Sequence, residues 1–180
     1  MLNHRKIRAL RHTYRFNFHH VNSRQNVAEH SFYVAIYARE FAKIIFSNDS
    51  FSVAQTVKMA LEHDFEEAII GDIPYLIRKQ MSDSLLKELN TKAMDELGVH
   101  IEEDMKYSQI KSIVDFADAF ELKIYLEEER KSGNVGLYQI ERETYKRLID
   151  SPLYDLLTKH FSIEPVRPAR MTEFMSHEGD

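Results

Sequence analysis

His63-Asp64-Phe65-Glu66-Glu67-Ala68-Ile69-Ile70-Gly71-Asp72-Ile73-Pro74 sets a histidine beside an aspartate where a helical pattern runs out. The preceding residues, Ser52 to Leu61, read as a helix, and Gly71 and Pro74 break it. Neighbouring side chains on a helix diverge by about 100°, so His63 and Asp64 converge on a shared partner only near an end or a bend. Imidazole nitrogen and carboxylate oxygen are both ordinary ligands for a divalent metal. Glu67 follows His63 by four residues, on the same face of a continuous helix, where it could hold a water beside such a metal. The alternative is a helix C-terminus rich in solvated acids. These twelve residues do not choose between the two.

The rest of the chain narrows the choice. Its 180 residues suit one domain, read as 1–162 with a C-terminal tail at 163–180. With 5 Gly and 4 Pro, long stretches contain neither, which favours an all-α fold over a sandwich or barrel. Cysteine is absent, so any metal site must draw on His and carboxylate. A net charge of -5 argues against a nucleic-acid polymer as partner. No apolar run approaches the roughly 20 residues of a membrane span, and the first residues lead into no signal-like segment. A cytoplasmic protein is expected.

Outward from the quoted stretch, residues 4–13 read as a short basic helix. Residues 13–25 form an irregular aromatic and polar segment with two arginines, Arg15 and Arg24. Arginine suits a phosphate through paired N–H groups, and the alternative is a basic surface loop. Asn26-Val27-Ala28-Glu29 is a capping box opening a helix over 26–46, with an apolar stripe through Val27, Val34, Tyr37, Ala38, Phe41, Ile44 and Ile45. His30 falls on that stripe. A lone His there is more often a hydrogen-bonded core residue than a ligand. Ser52-Val53-Ala54-Gln55 reads as a second capping box, and after Pro74 a helix resumes to Gln80. Further helices are expected over 83–98 (core face Leu85, Leu86, Leu89, Ala93, Leu97), 108–131, 138–149 and 152–160, the last with Ser151 as N-cap and Pro152 at N1. Asp118 sits inside the apolar stripe of 108–131. A buried carboxylate is costly unless it is paired with a cation or binds a metal.

His30, His63, Asp64 and Asp118 together are enough ligands for one divalent ion, with positions left for water and substrate. No His-Glu-x-x-His pair, Gly-rich phosphate loop or Gly-x-Ser-x-Gly elbow is present.

That ordered set, His30, then His63-Asp64, then Asp118, resembles the signature of HD-domain metal phosphohydrolases. More narrowly it resembles the YfbR-like 5′-deoxynucleotidases and their phage deoxynucleotide-triphosphohydrolase relatives. That subgroup has an Arg and an aromatic upstream, as in Tyr14-Arg15-Phe16, and His-Asp-x-x-Glu followed by Gly-Asp-Ile-Pro or its Leu variant, as in His63 to Pro74. The resemblance spans about residues 5–130 and implies a single-domain helical bundle. It implies His30, His63, Asp64 and Asp118 as ligands to one metal of the manganese, cobalt or zinc kind. It also implies Glu67 steering a metal-activated water, Asp72 assisting the leaving group, and Arg15 and Arg78 on phosphate. In bacterial nucleotidases the residue after that Arg is Trp, which lies by the sugar; Phe16 keeps a flat apolar wall but loses the indole N–H. The implied activity is a 5′-deoxynucleotidase acting on a deoxynucleotide. The alternatives are a dNTP triphosphohydrolase, with Arg24, Arg78, Lys79 and Lys111 as further charge, or a nucleotide-binding module without turnover. The resemblance also implies a homodimer or higher homo-oligomer.

Overall fold

Asn26 opens the helix around which the others pack. Its side chain accepts the Glu29 N–H at 3.0 Å and Glu29 returns a bond to the Asn26 N–H at 3.2 Å, so the expected capping box forms. The computed structural model describes residues 1–99 and 106–161; the expected tail at 163–180 lies outside them. In chain order the helices are α1 (His4–Ile7), which runs into a 3₁₀ turn at Arg8–His12, α2 (Val27–Ile45), α3 (Ser50–Glu62), α4 (Glu67–Ile70), α5 (Tyr75–Arg78), α6 (Asp83–Leu97), α7 (Tyr107–Lys131), α8 (Tyr138–Ile149) and α9 (Tyr154–Phe161). Among the described residues only an isolated bridge between Tyr14 and Asn26 departs from helix and loop, and the fold is all-α. No described helix is long and apolar enough to cross a membrane.

The main core lies between α2, α3 and α7. Val34, Ala38, Phe41 and Ala42 of α2 meet Ala60 of α3 and Ile113, Phe116 and Ala117 of α7, all nearly or fully buried. The alanines let the helix axes approach, and Phe41 fills the remaining space edge-on to Phe116, Phe120 and Phe161 at 5.2–5.6 Å. Leu148 of α8 and Leu157 of α9 close this core. Residues 13–26 cross the opposite end of α7, where buried Glu129 accepts the backbone N–H groups of Asn22 and Ser23 at 2.8 and 2.7 Å.

Several boundaries differ from the sequence reading. The cap of α3 is Asp49, which accepts the Phe51 N–H and the Ser52 hydroxyl, so Ser52 is buried inside the helix and opens no capping box of its own. A carboxylate outcompetes a hydroxyl for a helix N-terminus. Ser151 and Pro152 form the turn before α9 rather than its first residues: Ser151 Oγ takes the Leu153 N–H at 3.3 Å and its carbonyl takes that of Tyr154. The renewed helix after Pro74 ends at Arg78, with Gln80 and Met81 in turn bonds. Leu85 is 43% exposed, so α6 turns Ala93, Met94 and Leu97 inward at its C-terminal end and leaves Leu85 outside the expected face.

The decisive difference is at the histidine-aspartate pair. Helix α3 ends at Glu62, well before Gly71, and His63 and Asp64 occupy the turn leading to α4. The His63 ring contacts the Ala60 carbonyl at 2.8 Å, the acceptor that the Asp64 N–H would use if the helix continued. Glu67 therefore opens α4 instead of sharing a helix face with His63. Gly71 then takes φ 76°, a left-handed turn that sends the chain on to Asp72.

Candidate metal centre

Three segments converge. From α2 comes His30, fully buried; from the α3–α4 turn, His63 and Asp64; from α7, Asp118. Asp64 Oδ2 lies 3.1 Å from His63 Nε2 and 3.6 Å from His30 Nε2, and Asp118 Oδ1 lies 3.2 Å from His30 Nε2. His30, His63 and Asp64 each bring one ligand atom within 4.8 Å of the others, and Asp118 joins them through His30.

Hydrogen bonds behind the rings decide which nitrogen faces this point. His30 Nδ1 is 2.5 Å from Glu121 Oε2, and His63 Nδ1 is 2.8 Å from the Ala60 carbonyl. Both partners are acceptors, so both rings place a proton on Nδ1 and turn Nε2 inward. Both Nε2 atoms are buried without a hydrogen-bond partner. Two inward-facing imidazole nitrogens beside carboxylate oxygens fit a cation. Glu121 is itself held: Gln25 Nε2 donates to its Oε1 at 2.6 Å and Arg15 Nη1 to its Oε2 at 3.3 Å. Arg15 Nη1 also donates to Gln25 Oε1 at 3.2 Å and passes 2.6 Å from His30 Nδ1, which cannot accept while it carries its own proton.

The charge balance is strongly acidic. Burial works against a charge on His63, but adjacent Asp64 and then Asp118 outweigh it and push the imidazole up to about 9. Burial would also raise Asp118, yet His30 and Arg147 hold it well below the usual carboxylate range. Glu67 is the reverse case, pushed up to about 9 by burial and by repulsion from Asp64 and Asp72, with Arg15 opposing. Burial and Asp64 push Glu66 up to about 7, and burial raises Asp72. These acids cannot all ionise side by side. A dication at the Nε2 atoms would compete with the His63 proton and relieve the repulsion that keeps Glu67 protonated.

The remaining expected residues divide. Arg15 is drawn into the cluster, where Glu121, Asp118, Asp64 and Glu67 offset the cost of burying its charge. Asp72 faces the Phe16 backbone N–H. The Phe16 ring points elsewhere, stacked on Tyr125 at 5.2 Å, while its backbone takes φ 59°. Arg78 is exposed and lines a small cavity with Glu66, Glu67, Leu86 and Asn90. Of the further cations, Arg24 lies over Tyr14, and Lys79 and Lys111 are paired with Glu143 and Asp115. The sequence reading missed Glu121, Gln25 and Arg147, whose Nη2 forms an ion pair with Asp118 Oδ2 at 2.8 Å. Glu121 carried a usable signal, one helical turn after Asp118; Arg147 and Gln25 carried none.

Two inward-facing imidazoles and their carboxylates at the centre of a helical bundle form a group that could hold a metal ion. The HD domain matches residues 7–135, and the chain belongs to the HD-domain family. Among solved structures it is similar to the HD phosphohydrolase DatZ of cyanophage S-2L, bound to dA and one catalytic zinc ion. The two share 19% identity and a TM-score of 0.66 over 90% of this chain and 95% of that one. It is also similar to a conserved hypothetical protein from Pyrococcus furiosus, with 21% identity and a TM-score of 0.64 over 87% of this chain and 93% of that one. No curated protein matches the sequence. At such identities the likeness is one of fold.

Proposed function

We propose that the protein is a metal-dependent phosphohydrolase acting on deoxynucleotides, as a 5′-deoxynucleotidase that splits a deoxynucleoside monophosphate into deoxynucleoside and phosphate. The observation that carries this reading is the pair of buried, unpartnered Nε2 atoms beside Asp64 and Asp118. His30, His63, Asp64 and Asp118 would hold the ion. Bound there, a divalent metal polarises a phosphoryl oxygen and lowers the pKa of water at the site. DatZ, with its bound dA and catalytic zinc, supports a zinc-type ion and a deoxynucleoside-sized substrate.

The remaining roles fall to the chain's own groups. Arg15 is the buried cation among these acids, placed to offset negative charge on the phosphoryl group. Glu67 accepts the proton of the attacking water as its oxygen bonds to phosphorus. The bond from phosphorus to the 5′ oxygen breaks, and Asp72, whose carboxyl is raised by burial, gives that oxygen a proton. Arg78, exposed beside Glu66 and Glu67, offers a second contact for phosphate. A triphosphohydrolase is the second reading. It requires further charge for two more phosphates, and of the candidate cations Lys79 and Lys111 are paired with Glu143 and Asp115 at the surface and Arg24 lies over Tyr14.

Product analysis tests this. Metal-stripped protein reloaded with zinc, manganese or cobalt is given dAMP, dATP, AMP and ATP separately. Deoxynucleoside and phosphate from dAMP, abolished in Asp64→Ala, is the expected result. Intact triphosphate from dATP would replace the reading with the second one. No product with any metal would overturn both.

A further inference from the structure

Arg147 stands outside the matched family region, which ends at residue 135, yet it touches the proposed metal site. It lies on α8, and the residues around it fix its position. Leu148 is 2% exposed in the main core, Tyr145 donates its hydroxyl to Glu127 at 2.9 Å, and Arg130 ties Glu141 to α7 at 3.0 Å. From that anchored helix one guanidinium nitrogen, Nη2, reaches both Asp118 Oδ2 and the Asp115 carbonyl, each at 2.8 Å. Asp115 lies one helical turn before Asp118. The guanidinium thus pairs with the carboxylate while its hydrogen bond to the Asp115 carbonyl holds it against the same helix.

A carboxylate has two oxygens, and Arg147 occupies one. The other, Oδ1, is the oxygen 3.2 Å from His30 Nε2. We propose that Arg147 is a positioning residue that holds Asp118 with only Oδ1 presented to the metal, and so sets how tightly α7 grips the ion. This rests on the reading of His30, His63, Asp64 and Asp118 as ligands. Two effects of opposite sign meet here. A cation beside a dication repels it, and removing Arg147 on that account alone tightens binding. Loss of the orienting bond weakens binding, typically by about 10- to 100-fold for groups that hold a metal ligand in place. The Arg147 side chain is 46% exposed, so water screens the repulsion, whereas Asp118 is only 21% exposed and depends on its protein contacts. Orientation therefore wins.

The test measures zinc affinity of metal-stripped protein by competition with a chromophoric chelator, and the visible spectrum of the cobalt form. Wild type is compared with Arg147→Met, Arg147→Lys and Lys146→Met, the last removing a neighbouring exposed cation. Arg147→Met is expected to bind zinc about 10- to 100-fold more weakly with an altered cobalt spectrum. Arg147→Lys, which keeps the charge without the planar fork, should fall between, and Lys146→Met should match wild type. Unchanged or tighter binding in Arg147→Met overturns the proposal, as does an equal loss in Lys146→Met. Should Arg147→Met fail to fold, Arg147→Lys decides alone, and wild-type affinity there overturns it. Wild-type protein that binds neither zinc nor cobalt would instead sink the metal-centre reading, and this inference with it.

Discussion

The first half of α7, from Ile110 to Ala117, and the second, from Ala119 to Glu129, are both largely buried, but they bury different chemistry. Ile110, Ile113, Val114, Phe116 and Ala117 pack hydrocarbon against α2 and α3. Glu121 and Glu129 bury carboxylates, at 4% and 1% exposure, against His30, Gln25 and the backbone of residues 22 and 23. Asp118 lies at the junction. Hydrocarbon burial stabilises the fold without choosing fine geometry. A buried carboxylate costs stability unless every bond to it is made, and in return it fixes atoms to within a few tenths of an ångström. One helix thus separates holding the bundle together from aiming a ring.

Breaking each half should therefore give different phenotypes. Phe116→Ala leaves a cavity beside Phe41 and should cost about 3–5 kcal/mol of stability, read by urea denaturation. Zinc affinity of the folded protein should hardly change. Glu121→Gln acts on the ion instead. It removes the charged acceptor for His30 Nδ1–H and should weaken zinc binding by the folded protein about 10- to 100-fold, roughly 1.4–2.7 kcal/mol. The comparison collapses if Phe116→Ala loses as much zinc affinity as Glu121→Gln.

A smaller effect sharpens it from across the site, at Glu67. Its folded pKa of about 9 lies above its ordinary value of 4.5. The native state therefore keeps a proton that the unfolded chain releases. The associated stability is complete below about pH 4.5 and is lost as pH rises to 9. Glu67→Gln does not titrate, so metal-free Glu67→Gln should gain on wild type as the pH rises from 5 to 9. Urea curves at the two pH values measure it, and a constant difference would show that Glu67 is not held protonated.

Much of the fold was legible because helical periodicity is local. The Asn26 capping box, the α2 stripe and the 138–149 helix all appear as read. The errors arose where two local signals competed: Asp49 against Ser52 for one cap, and the His63 ring against the helix it terminates. At the site, His30 was visible because a histidine interrupts an apolar stripe, and His63-Asp64 because the pair sits at a break. Glu121 was marked only by lying one helical turn after Asp118, since its partner His30 is 91 residues away.

The sequence by itself determined an all-α chain and the residue types at its centre, because hydrophobic spacing within each helix says which face turns inward. Only the tertiary structure decided which nitrogen of each imidazole faces the centre, that Phe16 stacks on Tyr125, and that Arg147 on α8 takes one oxygen of Asp118. Those outcomes depend on hydrogen bonds and ring contacts between segments far apart in the chain. Such partners follow from how the helices pack, and no local pattern encodes them.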